Sequence, residues 1–151
     1  MLKTTIALSL LLGLVSGATA QELTWRTGIG ALVNDKCGEC HGDKRPEYQE
    51  WNLGDKKKGS RIVSYADFMS YVVWPATGAV QRRLDDGKSN ANGKPGNMYE
   101  HLGETDAERA ANLAKIKAWL GEGAWNQNRW TARGEVPAVT KDQLDKVKAK
   151  Y

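Results

Sequence analysis

Cys37-Gly38-Glu39-Cys40-His41 is the stretch on which the reading of this chain turns, because it holds both of its cysteines and one of its two histidines. Two thiols separated by two residues and followed at once by an imidazole form the CxxCH pattern through which haem is attached covalently. The spacing has a physical basis. Thiols about one helical turn apart can each bond a vinyl-derived carbon on one edge of a porphyrin, and the adjacent histidine then lies under the iron. Cys37 and Cys40 are therefore the expected thioether anchors. His41 is the expected proximal ligand, offering a neutral imidazole nitrogen to iron.

Three other readings use the same residues. Zinc takes four N, S or O ligands, and a structural zinc site usually brings a second cysteine pair, whereas here only His101 remains. A thioredoxin-like redox pair lies between a buried strand and a helix, but the residues before Cys37 read as helix. A plain disulfide leaves His41 without a role.

The amino-terminal residues bear on the compartment. Lys3 gives a positive start, residues 6–15 form an apolar run, and Ala18-Thr19-Ala20 is a small-residue cleavage site. That is the pattern of a secretory signal peptide, with an apolar run about half the ~20 residues that span a bilayer. Periplasmic residence is expected, on the side of the bacterial inner membrane where haem is joined to CxxCH, with no membrane span in the mature chain. The expected organisation is a signal peptide at 1–20, a helical haem domain at 21–124 and a carboxy-terminal extension at 125–151. This length supports one core and one haem. The formal net charge is +4, and loss of Lys3 together with two haem propionates reduces it, so no nucleic-acid partner is expected.

Along the mature chain, Trp25, Ile29, Leu32 and Val33 recur at helical steps in 22–35 and lead into the motif. Residues 43–60 are polar and rich in turn formers. Ser64 is placed to cap a helix over 65–73 with Phe68, Met69 and Val72 on one side, ended by Trp74-Pro75. Residues 85–96 read as loop, with Asp85 and Asp86 on a solvated face. Thr105-Asp106-Ala107-Glu108 forms a capping box, opening a helix to Leu120 whose stripe is Ala110, Leu113, Ile116, Trp119 and Leu120. Gly121 and Gly123 stop it. The segment 140–151 reads as a last basic amphipathic helix with Leu144, Val147 and Tyr151 on one side, and no run alternates long enough to be a strand.

Helix, CxxCH, loops, a late methionine and a terminal helix, in that order over residues 24–120, resemble the class I c-type cytochromes, small monohaem electron carriers. The resemblance implies an all-α domain wrapped around one covalent haem c, with a glycine of the first helix, Gly28 or Gly30, under an aromatic of the last, Trp119. It also implies a distal methionine in the loop before the last helix, and Met98 in Pro95-Gly96-Asn97-Met98 holds that place. His101 is the alternative distal ligand and an open iron a third. Met69 reads as core. The family's proline behind the haem motif has Pro46 as its counterpart.

No acid–base or nucleophile constellation accompanies the motif, so an enzyme is not expected. The leading function is a periplasmic one-electron carrier cycling between Fe(II) and Fe(III). The alternative is a haem c subunit bound tightly to a periplasmic oxidoreductase through the extension, so the protein is expected as a monomer or as a subunit of a redox complex. Lys44, Arg45, Lys56, Lys57, Lys58 and Arg61 follow the haem motif and could steer docking onto an acidic periplasmic or membrane-bound redox protein. Trp51 and Trp74 are candidates for the haem pocket, and Trp125 and Trp130 for pinning the extension.

Overall fold

The stripe Trp25, Ile29 and Val33 is buried as one helical face in the computed structural model, which describes residues 21–42, 61–73, 78–88, 93–127 and 141–151. The expected signal segment, the basic residues Lys44, Arg45, Lys56, Lys57 and Lys58, and Pro46, Trp51, Trp74 and Trp130 lie outside the described residues. The described residues are helical and contain no strand. This fits the all-α expectation.

The first helix comes in two joined pieces. Thr24 caps a wide turn at Trp25–Ile29 by accepting the Thr27 amide at 3.1 Å, and the chain kinks at Gly28 before helix α1, Gly30–His41. The haem motif is therefore the last turn of α1 rather than a loop after it. Gly42 closes that turn through its amide to the Gly38 carbonyl at 3.1 Å.

Helix α2, Tyr65–Ser70, begins where expected, with Ser64 Oγ accepting the Asp67 amide at 3.2 Å. Turns continue it through Val73. Helix α3, Ala79–Leu84, buries Ala79, Val80, Gln81 and Leu84 and was not foreseen, although Val80 and Leu84 stand at helical spacing. A tight turn at Tyr99–Leu102 precedes helix α4, Asp106–Leu120. Thr105 caps α4 by accepting the Glu108 amide at 3.2 Å, while the Glu108 carboxylate reaches back to the Glu104 amide at 3.0 Å, one residue beyond the cap.

On α4 the buried residues are Asn112, Leu113, Ile116, Trp119 and Leu120. Ala110 is exposed, against expectation, and the buried polar position is Asn112, whose amide donates to the Leu102 carbonyl at 2.7 Å. That bond satisfies both groups out of water and fixes the turn ahead of α4. Helix α5, Glu122–Gln127, follows Gly121 and buries Trp125.

Trp119, which the family pattern sets over a first-helix glycine, packs against Trp25 at 5.8 Å and Phe68 at 5.8 Å between ring centroids, and the nearest atoms to a side chain at Gly30 or Gly28 belong to Trp25 and Leu23. Tilted aromatic pairs of this kind contribute ~0.5–1.5 kcal/mol each beyond their buried area.

The carboxy-terminal segment departs most from expectation. Among the described residues 141–151, only Lys141–Leu144, α6, is helical, and Leu144 is 48% exposed. The chain then runs along the domain instead of along its own axis. Lys148 donates its amide to the Leu120 carbonyl at 2.9 Å, and the Lys150 carbonyl accepts both the Trp25 amide at 2.8 Å and Trp119 Nε1 at 2.9 Å. These bonds use backbone groups that a helix would have kept to itself. Tyr151 finishes edge-on to Tyr65 at 5.3 Å and beneath the Arg26 guanidinium at 4.5 Å.

Candidate haem-binding site

The last turn of α1 sets the first wall of the site. Residues i, i+3 and i+4 share one face of a helix, so Cys37, Cys40 and His41 all line a single cavity of about 560 Å³. Cys37 is half-buried and Cys40 exposed, and neither is in a disulfide. The stripe that buries Ile29 and Val33 continues into Cys37, which is why the thiols emerge at the edge of the core.

The facing wall comes from the loop after α3. The Gly96 amide donates to the Asp85 carbonyl at 2.8 Å and the Met98 amide to the Arg83 carbonyl at 2.9 Å, so this loop returns along the end of α3. Gly96 is required there by close approach: a Cβ would stand 2.2 Å from the Arg82 carbonyl oxygen. Met98 and His101 both reach the cavity lining. Met98 is half-buried against the core, whereas the His101 side chain is 59% exposed with Nε2 3.8 Å from Glu100 Oε1. Met69 packs on the core and does not line the cavity, as its helical pattern suggested.

Between these walls the surface is apolar, supplied by Val33, Phe68, Val80, Leu84, Leu102 and Ile116. Phe68 also touches Trp25 at 5.6 Å, so the cavity wall and the aromatic cluster are one structure. Tyr71 and the α3 residues in this lining were missed in the sequence, where the only signal was the Val80–Leu84 spacing. The charged groups at the lining are Lys36, Glu39, Arg82 and Arg83, of which Lys36 is bonded to Glu108 at 2.7 Å. Arg61, expected in the basic patch, pairs with Asp67 at 3.2 Å.

The residues present fit a haem. The volume lies within the ~300–1,000 Å³ of small-molecule sites, the walls suit a flat apolar macrocycle, and two thiols, an imidazole and a thioether share one lining. The alternatives fit less well. Burial, then the charge of Asp35, pushes the Cys37 thiol up to about 11, the opposite of the shift that activates a redox thiolate. Among the described residues no group of three or more His, Cys, Asp or Glu is placed to hold a metal ion directly, as a zinc site would need.

The chain is similar to known proteins. The PccH Cytochrome c family matches residues 24–151. The solved structure of the monoheme cytochrome PccH from Geobacter sulfurreducens is similar over 86% of this chain and 99% of that one, at 41% sequence identity and a TM-score of 0.67. No curated protein matches the sequence.

Proposed function

The chain belongs to the PccH cytochrome c family, and we propose that its one haem c is anchored by Cys37 and Cys40 and ligated by His41 and Met98. It is a monohaem c-type cytochrome, an electron carrier and not an enzyme. What supports the residue assignment is the convergence of both thiols, the His41 imidazole and the Met98 thioether on one apolar cavity.

Haem supplies an iron that takes up one electron and gives it back by alternating between Fe(III) and Fe(II). The residues around it set how readily this happens. A soft, uncharged thioether favours the ferrous state more than a second imidazole does, so Met98 as a ligand would raise the potential relative to His101. The burial of Met98 and the exposure of His101 favour the same choice. Val33, Val80, Leu102 and Ile116 supply an apolar lining that would limit water beside the bound group.

The export pattern of residues 1–20 supports a periplasmic address, and among the described residues no helix is long and apolar enough to cross a membrane. The partners are acidic redox proteins of the periplasm or the membrane surface, steered by Lys44, Arg45, Lys56, Lys57 and Lys58, which flank the motif in sequence. A free shuttle is favoured over a fixed subunit because 146–151 is bonded to its own domain.

Two measurements on the purified holoprotein test the ligand set. Acid–acetone extraction should leave haem on the protein and strip it from the Cys37→Ala, Cys40→Ala double variant. The ferric protein should show the weak near-infrared band of an iron–methionine sulfur pair, lost in Met98→Ala and kept in His101→Ala. Absence of that band from the unsubstituted ferric protein, together with a ligation change in His101→Ala but not in Met98→Ala, would assign the distal place to His101.

A further inference from the structure

We propose that Asp85 is a positioning residue for the distal ligand, bracing the loop that holds Met98 in the cavity wall. The proposal rests on the reading of Met98 as that ligand. Asp85 was expected on a solvated face, but it is 1% exposed. A carboxylate is not taken out of water without hydrogen-bond donors, and its Oδ1 accepts the Gly87 amide at 2.7 Å.

The same residue holds the loop at both limbs. Its side chain fixes the outgoing limb at Gly87, which sits at φ 84, where the returning limb passes so close that a Cβ would meet the Gly93 carbonyl at 2.9 Å. Its backbone carbonyl accepts the amide of Gly96 on the returning limb, two residues before Met98. The Met98 amide is then bonded to the Arg83 carbonyl, two residues before Asp85. Asp85 thus joins the end of α3 to the segment that presents the sulfur.

This matters because a thioether is a weak, neutral ligand. Its occupancy of the iron depends on how firmly the backbone presents it, the usual role of groups behind the ligands themselves. A slack loop lets an added ligand compete.

The test uses the ferric holoprotein, the near-infrared band and titration with imidazole, which must displace the methionine. Asp85→Ala should weaken the band and tighten imidazole binding roughly tenfold or more, the factor implied by one lost hydrogen bond to a charged group. Asp85→Asn, which keeps an acceptor oxygen, should restore both. Gly87→Ala strains the same loop without touching the carboxylate and should act in the same direction, which decides the matter if Asp85→Ala does not fold. Thr24→Ala removes a cap that lies outside the cavity lining and should leave both readouts unchanged. An unaltered band and imidazole affinity in Asp85→Ala and Gly87→Ala would overturn the proposal, as would an equal change in Thr24→Ala or a failure of Asp85→Asn to restore them. A band that persists in Met98→Ala would instead overturn the ligand assignment beneath it.

Discussion

At the scale of single residues, the cavity is walled by the Cys37–His41 turn of α1 and by the loop that Asp85 and Gly96 hold to the end of α3. Cys37, Cys40 and His41 announce themselves because few functions use two thiols and an imidazole at that spacing. Asp85 gave no such signal, since an acidic pair in a glycine-rich loop reads as solvated until the amides it meets are known. Gly96 and Gly93 look equivalent in the sequence and differ in the fold. A Cβ at Gly96 would overlap the Arg82 and Arg83 carbonyl oxygens at 2.2 and 2.3 Å, while at Gly93 no atom of the described residues lies within 4 Å and φ of 65 is what resists a side chain. Gly96→Ala should therefore destabilise by ~1–3 kcal/mol through overpacking and backbone shift and disturb the Met98 band. Gly93→Ala should cost about 1 kcal/mol and leave the band alone. Urea midpoints and near-infrared spectra of the two variants, taken side by side, check the ranking.

At the scale of elements, α4 was readable because it carries a long apolar stripe and its own cap, Thr105, and α1 because the stripe of Trp25, Ile29 and Val33 runs into it. The short α3 was not, because six residues give too little periodicity to stand against the turn formers beside it. How α1 meets α4 was also unreadable, and an ion pair marks the junction: Lys36 Nζ to Glu108 Oε1 at 2.7 Å. The hydrogen bond from Lys36, then that from the Glu104 amide, holds the Glu108 carboxyl below its ordinary 4.5. The bonds to Glu108 and Asp35 hold the Lys36 ammonium above its ordinary 10.5. The depressed carboxyl adds stability above pH 4.5 that is lost as pH falls through its folded value. The raised ammonium adds stability below pH 10.5 that is lost as pH climbs through its folded value. Because each group is the other's first partner, Glu108→Gln and Lys36→Met should each flatten both limbs of the stability profile, with neither limb changing its sign. Both groups are at the surface, so the effect should shrink in high salt. Urea midpoints measured across pH at low and high ionic strength would show it.

At the scale of the whole molecule, the tail decides how the domain closes. Lys150 supplies one carbonyl to two donors, Trp25 N–H and Trp119 Nε1, that sit in the aromatic cluster with Phe68 and Tyr65. Removing residues 146–151 should leave both donors unpartnered, at ~1–3 kcal/mol each. The truncated holoprotein should melt several degrees lower while keeping the visible and near-infrared spectra of the full chain, because no residue of 141–151 lines the cavity. An altered spectrum would show that the tail reaches the haem. By itself the sequence determined the cofactor, the all-α character, the anchor turn and the two main helices, since covalent haem attachment and amphipathic periodicity are local properties written in adjacent residues. Only the tertiary structure decided that Asp85 is buried, that Gly96 lies on α3, that Trp25 meets Trp119, and that the tail gives up helix for the domain surface. Each of these depends on backbone donors and acceptors far apart in the chain, and their pairing exists only once the chain is folded.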